Sequence, residues 1–342
     1  MYRFVYWFKI LNPPRSYKPV ILVTGCASGI GLALAFLLHK NHGFRVCVTA
    51  REDNMENLKN AFHNDERFMV LPLDVTSDED RKSVIKTIEE KWGRVDILVN
   101  NAGISYRSVV EHMTKEHEEL QMAVNYFGPM ELIRLVLPAM RNSGRGKIIN
   151  ISSVSGMLAM PTMASYSASK YALEGASEAL WYELRPFGID VSMIQPGFIN
   201  SKSFNKVRYT DAACDSERGD EPYSEYYRSM APFVAKLMGY SRTTPATIAF
   251  LVQDVIKTQN PPLWIPATLD AELFYYLRRF VPRRLLHPVL YALLPRVSEW
   301  GKKYSRRRAP APLFRYWARK FVTFFVNENE PPPNRNTPAK PE

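Results

Sequence analysis

The sequence predicts a doubly wound α/β domain built on a parallel sheet, followed by a basic amphipathic helical extension. Three observations carry this: short apolar runs recur between helical stretches, the first run ends in a glycine-rich turn, and positive charge gathers near the C-terminus. The runs are PVILVTG from residue 19, FRVCVTA, FMVLPLDV, DILVNNAG, GKIINISS and DVSMIQPG, with PLWIPA at 262–267 as the last. Unbroken apolar runs of this length suit strands buried on both faces, as in a parallel sheet covered by its crossover helices. LALAFLLHK, after the first run, is the first such helix.

Composition bounds the chemistry. With 46% hydrophobic residues, the 342-residue chain can bury a sizeable core. Cys26, Cys47 and Cys214 are odd in number and show no C-x-x-C spacing, which suits a reducing, intracellular compartment. The histidines show no H-E-x-x-H pattern, so no metal site is indicated. Residues 271–326 hold thirteen Lys and Arg against Glu272 and Glu299, which equals the whole chain's net charge of +11. A neutral body therefore carries a basic appendage that seeks an anionic surface.

The chain divides into an aromatic and basic segment (1–18), a catalytic domain (19–270), the basic extension (271–326) and a polar tail (327–342) whose composition predicts disorder. MYRFVYWFKIL, residues 1–11, is too short to span a bilayer; it reads as an interfacial anchor or as a packing segment.

TGCASGIG places Gly25, Gly29 and Gly31 where the first strand turns into a helix. Glycines there let backbone approach a pyrophosphate, and the helix N-terminus supplies amide donors to it. The spacing is G-x-x-x-G-x-G. Together with Asp74-Val75, NNAG at 100–103, Asn125, Ser153, YSASK at 166–170 and QPG at 195–197, it resembles the short-chain dehydrogenase/reductase family over residues 19–200. TGCASGIG, YALEG and LRRFVPRRLLHPVL resemble its steroid and retinoid branch in particular. The resemblance implies a Rossmann-like fold and a nicotinamide cofactor held by Gly25, Ala27, Ser28, Gly29, Ile30 and Gly31, by Asp74 and Val75, and by Asn101, Ala102 and Gly103. Pro196, Gly197, Ile199 and Ser201 would hold the nicotinamide end, Ser201 standing where the family usually has threonine.

The second strand closes on Ala50 and Arg51, where an acidic residue would bond a ribose hydroxyl and an arginine a 2′-phosphate. Arg51 therefore favours NADP(H) over NAD(H), with a solvated loop arginine as the plain alternative. Tyr-x-x-x-Lys occurs twice, as YSASK and as YWARK at 316–320, so spacing alone decides nothing. On a helix, however, Lys170 lies one turn from Tyr166, where an ammonium favours the phenolate needed for acid–base work. Ser153 ends a strand upstream, where a hydroxyl can donate to a substrate oxygen; Ser152 and Ser155 are rivals. The resemblance selects Ser153, assigns Asn125 to a water linking the lysine to solvent, and gives Tyr166 and Lys170 further contacts with the cofactor. It implies hydride transfer between nicotinamide and a carbonyl carbon, with Tyr166 supplying the proton.

Residues 198–245, with YSEYYRSMAPFVAKLM, stand where the family places a substrate lid; they would line an apolar pocket or pack on the body. LFRYWARKFVTFFV and GKKYSRRR suggest a peripheral membrane surface, with a cytoplasmic soluble form, packing on the body or a homodimer as alternatives. No recognisable nucleic-acid-binding fold is present. The leading expectation is an oxidoreductase acting on a lipophilic small molecule: a steroid, retinoid, keto-lipid or fatty aldehyde. The alternatives are an NAD(H)-dependent alcohol dehydrogenase of the same fold and a non-catalytic NADP(H)-binding membrane scaffold.

Overall fold

A computed structural model describes residues 17–62, 65–201 and 207–302. Most of MYRFVYWFKIL-NPPRSYK, most of GKKYSRRR, all of LFRYWARKFVTFFV and the polar tail therefore lie outside the described residues.

Seven parallel strands form one sheet: β1 (Val20–Val23), β2 (Arg45–Ala50), β3 (Phe68–Pro72), β4 (Ile97–Asn100), β5 (Gly146–Ile151), β6 (Ile189–Gln195) and β7 (Trp264–Pro266), in the order β3-β2-β1-β4-β5-β6-β7. Each apolar run of the sequence supplies one strand, as expected. Alternate residues feed opposite faces: Ile21 and Val23 join one core, Val20 and Leu22 the other. Burying such a side chain contributes about 1.5–3 kcal/mol, so strands with no polar face are held from both sides.

The first face is covered by α1 (Gly29–His39), α2 (Glu56–Phe62) and α9 (Pro245–Lys257), through Leu34, Leu38, Phe62, Ile248 and Val252. The second is covered by α3 (Asp78–Trp92), α5 (Gly128–Asn142) and α6 (Ala164–Leu184), through Val84, Ile88, Ile133, Met140 and Leu173. Local chemistry sets the helix ends. The Ser77 hydroxyl accepts from the Asp80 amide at the start of α3, which opens with three acidic residues and stops at Gly93, φ +91°. Thr244 and Thr247 close a capping box ahead of α9.

Between β4 and α5 run α4 (Lys115–Met122) and a π-helical turn (Ala123–Phe127). Between β6 and α9 lie α7 (Asp211–Arg218) and α8 (Ser224–Tyr240), the helices of the expected lid. After β7 come α10 (Leu269–Phe280) and α11 (Arg283–Leu293). The extension read from residue 271 thus starts inside a helix that is part of the body: Ala271 is fully buried with Val154 and Met157. Further on, Val297 and Trp300 pack against Met230 and Val234 of α8. Trp300 stacks on Tyr226 at 4.3 Å and its Nε1 donates to Ser229 Oγ at 3.0 Å, so this segment straps the lid helix down.

The chain runs β1 to β3 outward on one side and then returns to β4 on the other side of β1. At such a reversal the loops at the strands' C-terminal ends part and leave a crevice.

Candidate active site

A cleft of about 540 Å³ opens at those strand ends. Its first wall is the turn after β1. Gly25 (φ +71°) and Gly29 (φ +61°) adopt left-handed conformations that glycine tolerates. A Cβ on Gly25 would fall 2.7 Å from Ala102 Cα. Thr24 Oγ1 accepts from the amides of both Asn101 and Ala102 at 3.0 Å, and Asn101 Nδ2 donates back to Thr24 O and Gly25 O at 2.9 and 3.0 Å. The glycine turn and the NNAG loop are thereby bound into one frame.

Gly25, Ala27, Ser28, Gly29 and Ile30 line the cleft, and α1 begins there with no acidic residue in its first turn. Its amides and positive dipole end are suited to a pyrophosphate, so the chemistry of this wall fits a dinucleotide. Gly31 does not line the cleft; it packs beneath, where a Cβ would lie 2.4 Å from Gly25 O. Arg51, Asp74 and Val75 line the same side. The exposed Arg51 guanidinium pairs with Asp53 at 3.2 Å. Asn101, Ala102, Gly103, Pro196, Gly197, Ile199 and Ser201 continue the wall toward the reacting end.

Ser153, Tyr166 and Lys170 line the cleft as well. Ser153 follows β5 in an extended conformation and accepts from the Ser155 amide at 3.1 Å. Tyr166 and Lys170 sit on the first turns of α6. The ammonium of Lys170 lies 6.0 Å from the Tyr166 ring centroid and donates to Ile151 O at 2.9 Å. Burial lowers its pKa to about 8, against the pull of Glu174 one turn further on. Glu174 is itself buried, accepting from Ser152 Oγ and Gln195 Nε2 at 2.6 and 2.9 Å. Burial raises the Tyr166 phenol above its ordinary pKa, opposed by the Ser153 hydroxyl and by the Arg107 guanidinium. Spacing points to Lys170 as the cation acting on the phenol; with the lysine turned to a backbone carbonyl, Arg107 exerts that pull here.

Asn125 does not line the cleft. It is buried in the π-helical turn, where Oδ1 accepts from Ile104 N and Nδ2 donates to Ile104 O, each at 2.9 Å, and to Ser169 Oγ at 3.0 Å. It stands behind Gly103, whose added Cβ would come 3.3 Å from Asn125 Oδ1 and 3.8 Å from Lys170 Nζ. The YWARK tyrosine lies outside the described residues. Sequence reasoning passed over Arg107 and Glu174: a lone arginine in a loop has no period, and a glutamate on a helix reads as solvated until its burial is seen. Among the described residues no group of His, Cys, Asp or Glu is arranged to hold a metal, and no helix is long and apolar enough to cross a membrane.

Phosphate-binding amides at one end of a cleft and a proton-bearing phenol at the other are what an α/β nicotinamide-dependent oxidoreductase requires. Comparison with known proteins supplies the family. Residues 19–212 match the family model described as short chain dehydrogenase, and the chain belongs to that family. It is 34% identical over 247 residues to the uncharacterized oxidoreductase YusZ of Bacillus subtilis, covering 71% of this chain and 86% of that one. It is 34% identical over 245 residues to a 3-ketodihydrosphingosine reductase of Bacteroides thetaiotaomicron, covering 71% and 85%. Among solved structures, a short-chain dehydrogenase from Streptomyces avermitilis superposes with a TM-score of 0.66 at 31% identity, covering 84% of this chain and 98% of that one. The family and fold expected from the motifs are thus borne out.

Proposed function

We propose that this oxidoreductase uses NADP(H) to interconvert a carbonyl and an alcohol on a lipophilic substrate, with Tyr166 as general acid and base. The observation that carries the reading is that Tyr166, Ser153 and Lys170 share one cleft with the glycine turn. When bound along this cleft, a nicotinamide cofactor would supply or accept the hydride. Tyr166 gives a proton to the developing alkoxide, and the Ser153 hydroxyl donates to the same oxygen. The Arg107 guanidinium and the Ser153 hydroxyl oppose the burial that raises the phenol's pKa, Lys170 keeps its ammonium 6.0 Å from the ring, and Asn125 fixes the loop that carries Ile104 and Gly103. Arg51 supports NADP(H), since its guanidinium lies at the end of β2 on the cleft wall and can accept a phosphate in place of Asp53.

Leu120, Val124, Met160, Phe198, Val234 and Met238 make much of the substrate half apolar, which supports a lipophilic substrate, as does the similarity to a relative named 3-ketodihydrosphingosine reductase. Peripheral membrane binding is part of the reading. Leu269, Leu273, Tyr276 and Phe280 are exposed along one stripe of α10, with Arg278, Arg279, Arg283 and Arg284 near its C-terminal end. The test is NADPH oxidation with a panel of apolar ketones and aldehydes, wild type against Tyr166→Phe. Wild-type turnover with the variant at least about a hundredfold slower is expected. Equal turnover by both would end the proposed mechanism. Co-sedimentation with anionic vesicles at low and high salt, with Phe280→Glu as the control, tests the membrane surface.

A further inference from the structure

Three pieces of the cleft wall converge on one side chain that lies behind it. Glu174, one turn beyond Lys170 on α6, is only 5% exposed, and its Oε1 accepts from Ser152 Oγ at 2.6 Å and from Gln195 Nε2 at 2.9 Å. Ser152 is the residue before Ser153, and Gln195 the residue before Pro196 and Gly197. A carboxylate is costly to bury unless donors and positive charge meet it, and here both donors sit at strand ends that carry site residues.

The surrounding chain is shaped to this carboxylate. The Ser152 amide donates to Ile194 O at 2.8 Å and the Val154 amide to Pro196 O at 2.7 Å, so the two strand ends run side by side past Ser153. Gly156, in the turn that follows, is needed for space: a Cβ there would fall 2.6 Å from Glu174 Cδ and 2.8 Å from Ser152 Oγ. Lys170 donates to Ile151 O, one residue before Ser152, so ammonium and carboxylate flank the same strand end. Among the described residues, the charged groups facing Glu174 are Lys170 on its own helix and Arg278 on α10, whose guanidinium also donates to the Tyr171 hydroxyl. Burial holds the Glu174 carboxyl above its usual range, opposed by the Gln195 and Ser152 bonds and by those two cations. Tyr166 is the titratable group beside Lys170. Lys170 can act on that phenol only while it is charged; burial works against the charge, and Glu174 supports it.

Resting on the oxidoreductase reading of this cleft, we propose that Glu174 is a positioning residue: its carboxylate holds Ser153 and the Pro196–Gly197 turn in place through Ser152 and Gln195, and keeps the Lys170 ammonium charged beside Tyr166. The hydrogen bonds and the charge are separable. Glutamine can accept the same two bonds without the charge, whereas aspartate keeps the charge and draws it back by one methylene from both donors. A residue that merely fills the core would answer to neither distinction.

The test follows the Cε resonance of Lys170 through pH by NMR, in the full chain carrying isotope-labelled lysine, with Lys170→Met giving the assignment. The midpoint should fall by about one pH unit in Glu174→Gln, the lower end of the shift an opposite charge close by produces, and by less than about half a unit in Glu174→Asp. In the wild type the same resonance should show a smaller second step on the acid side, as Glu174 takes up its proton. That measurement needs no variant and stands even if Glu174→Gln does not fold. In NADPH-dependent reduction of acetophenone, the kcat of wild type relative to Glu174→Gln should grow about fivefold between about pH 6 and about pH 8, with KM within about twofold, because a midpoint about one unit lower leaves about a fifth as much Lys170 charged at the higher pH. A Lys170 midpoint unmoved in Glu174→Gln, no acid-side step in the wild type, or a kcat ratio that stays flat with pH would each overturn the proposal. The oxidoreductase reading fails separately, through equal NADPH oxidation by wild type and Tyr166→Phe, a result that leaves the Lys170 midpoints untouched.

Discussion

Replacing Gly197 by alanine tests how the cleft is joined to the helix behind it. Gly197 N donates to Thr268 Oγ1 and Phe198 N to Asp270 Oδ2, both at 2.9 Å, so the start of α10 is fastened to the loop after β6. A Cβ at residue 197 would lie 1.8 Å from Asp270 Oδ2 and 2.6 Å from Thr268 Oγ1. Neither approach is tolerable, and both oxygens must retreat. The cost is one neutral and one charge-assisted hydrogen bond, about 1 and about 2 kcal/mol, or about 3 kcal/mol together. Thr268 also caps α10 through the Ala271 amide, so displacement frays the helix as well. Urea unfolding of Gly197→Ala should show this loss. In an Asp270→Ala background the same substitution should cost at least about 1 kcal/mol less, because the obstructing carboxylate is gone. A loss below about 0.5 kcal/mol, or strict additivity of the two changes, would refute the reasoning.

Further outcomes follow from other parts of the structure. Burial holds Lys147 and Lys170 at about 8, below the ordinary 10.5, so above about pH 8 the unfolded chain binds more protons than the folded one. Their burial cost is full below that pH and is relieved as pH rises; stability should therefore climb from about pH 8 toward pH ~9, with Lys147→Met flattening part of the slope in urea titrations, until the buried Cys26 and Cys47 thiols, held above their ordinary range, oppose it. An unchanged slope would count against it. Arg51→Ala should raise the KM for NADPH about tenfold while sparing NADH, with little change in stability because its exposed pair with Asp53 contributes little. Equal effects on both cofactors would remove Arg51 from phosphate recognition. Trp300→Ala deletes the stack on Tyr226 and the bond to Ser229, a loss of about 3 kcal/mol local to the strap. Proteolysis within α8 should quicken and substrate KM should rise; a lid as resistant as in the wild type would contradict the clamping role.

The sheet was legible because its central strands are buried on both faces, and a short apolar run such as VILV, bounded by turn residues, suits such a strand. The glycine turn was legible because positive φ at Gly25 and Gly29 restricts the residue types the turn accepts. Pairing across distance was not. Nothing local in ISYRSVV says that Arg107 is fixed between Arg208 and Met163, and no helical period reveals that Trp300 meets Tyr226. Asn125 reads as a polar residue by its motif; its engagement with Ile104 depends on a π-helical turn that sequence periodicity does not encode. The direction of the Tyr166 shift was also hidden, since desolvation depends on everything that surrounds a ring and not on the residue one turn away.

A single hydroxyl, that of Thr24, keys two separate stretches of chain into register by accepting from consecutive amides of one while belonging to the other. Thr24→Val would preserve the shape and remove the key. The glycine turn and the NNAG loop would then be joined only by the β1–β4 ladder and the Asn101 side chain, so the alignment of the two ends of the cleft rests in part on an oxygen atom that does not face it.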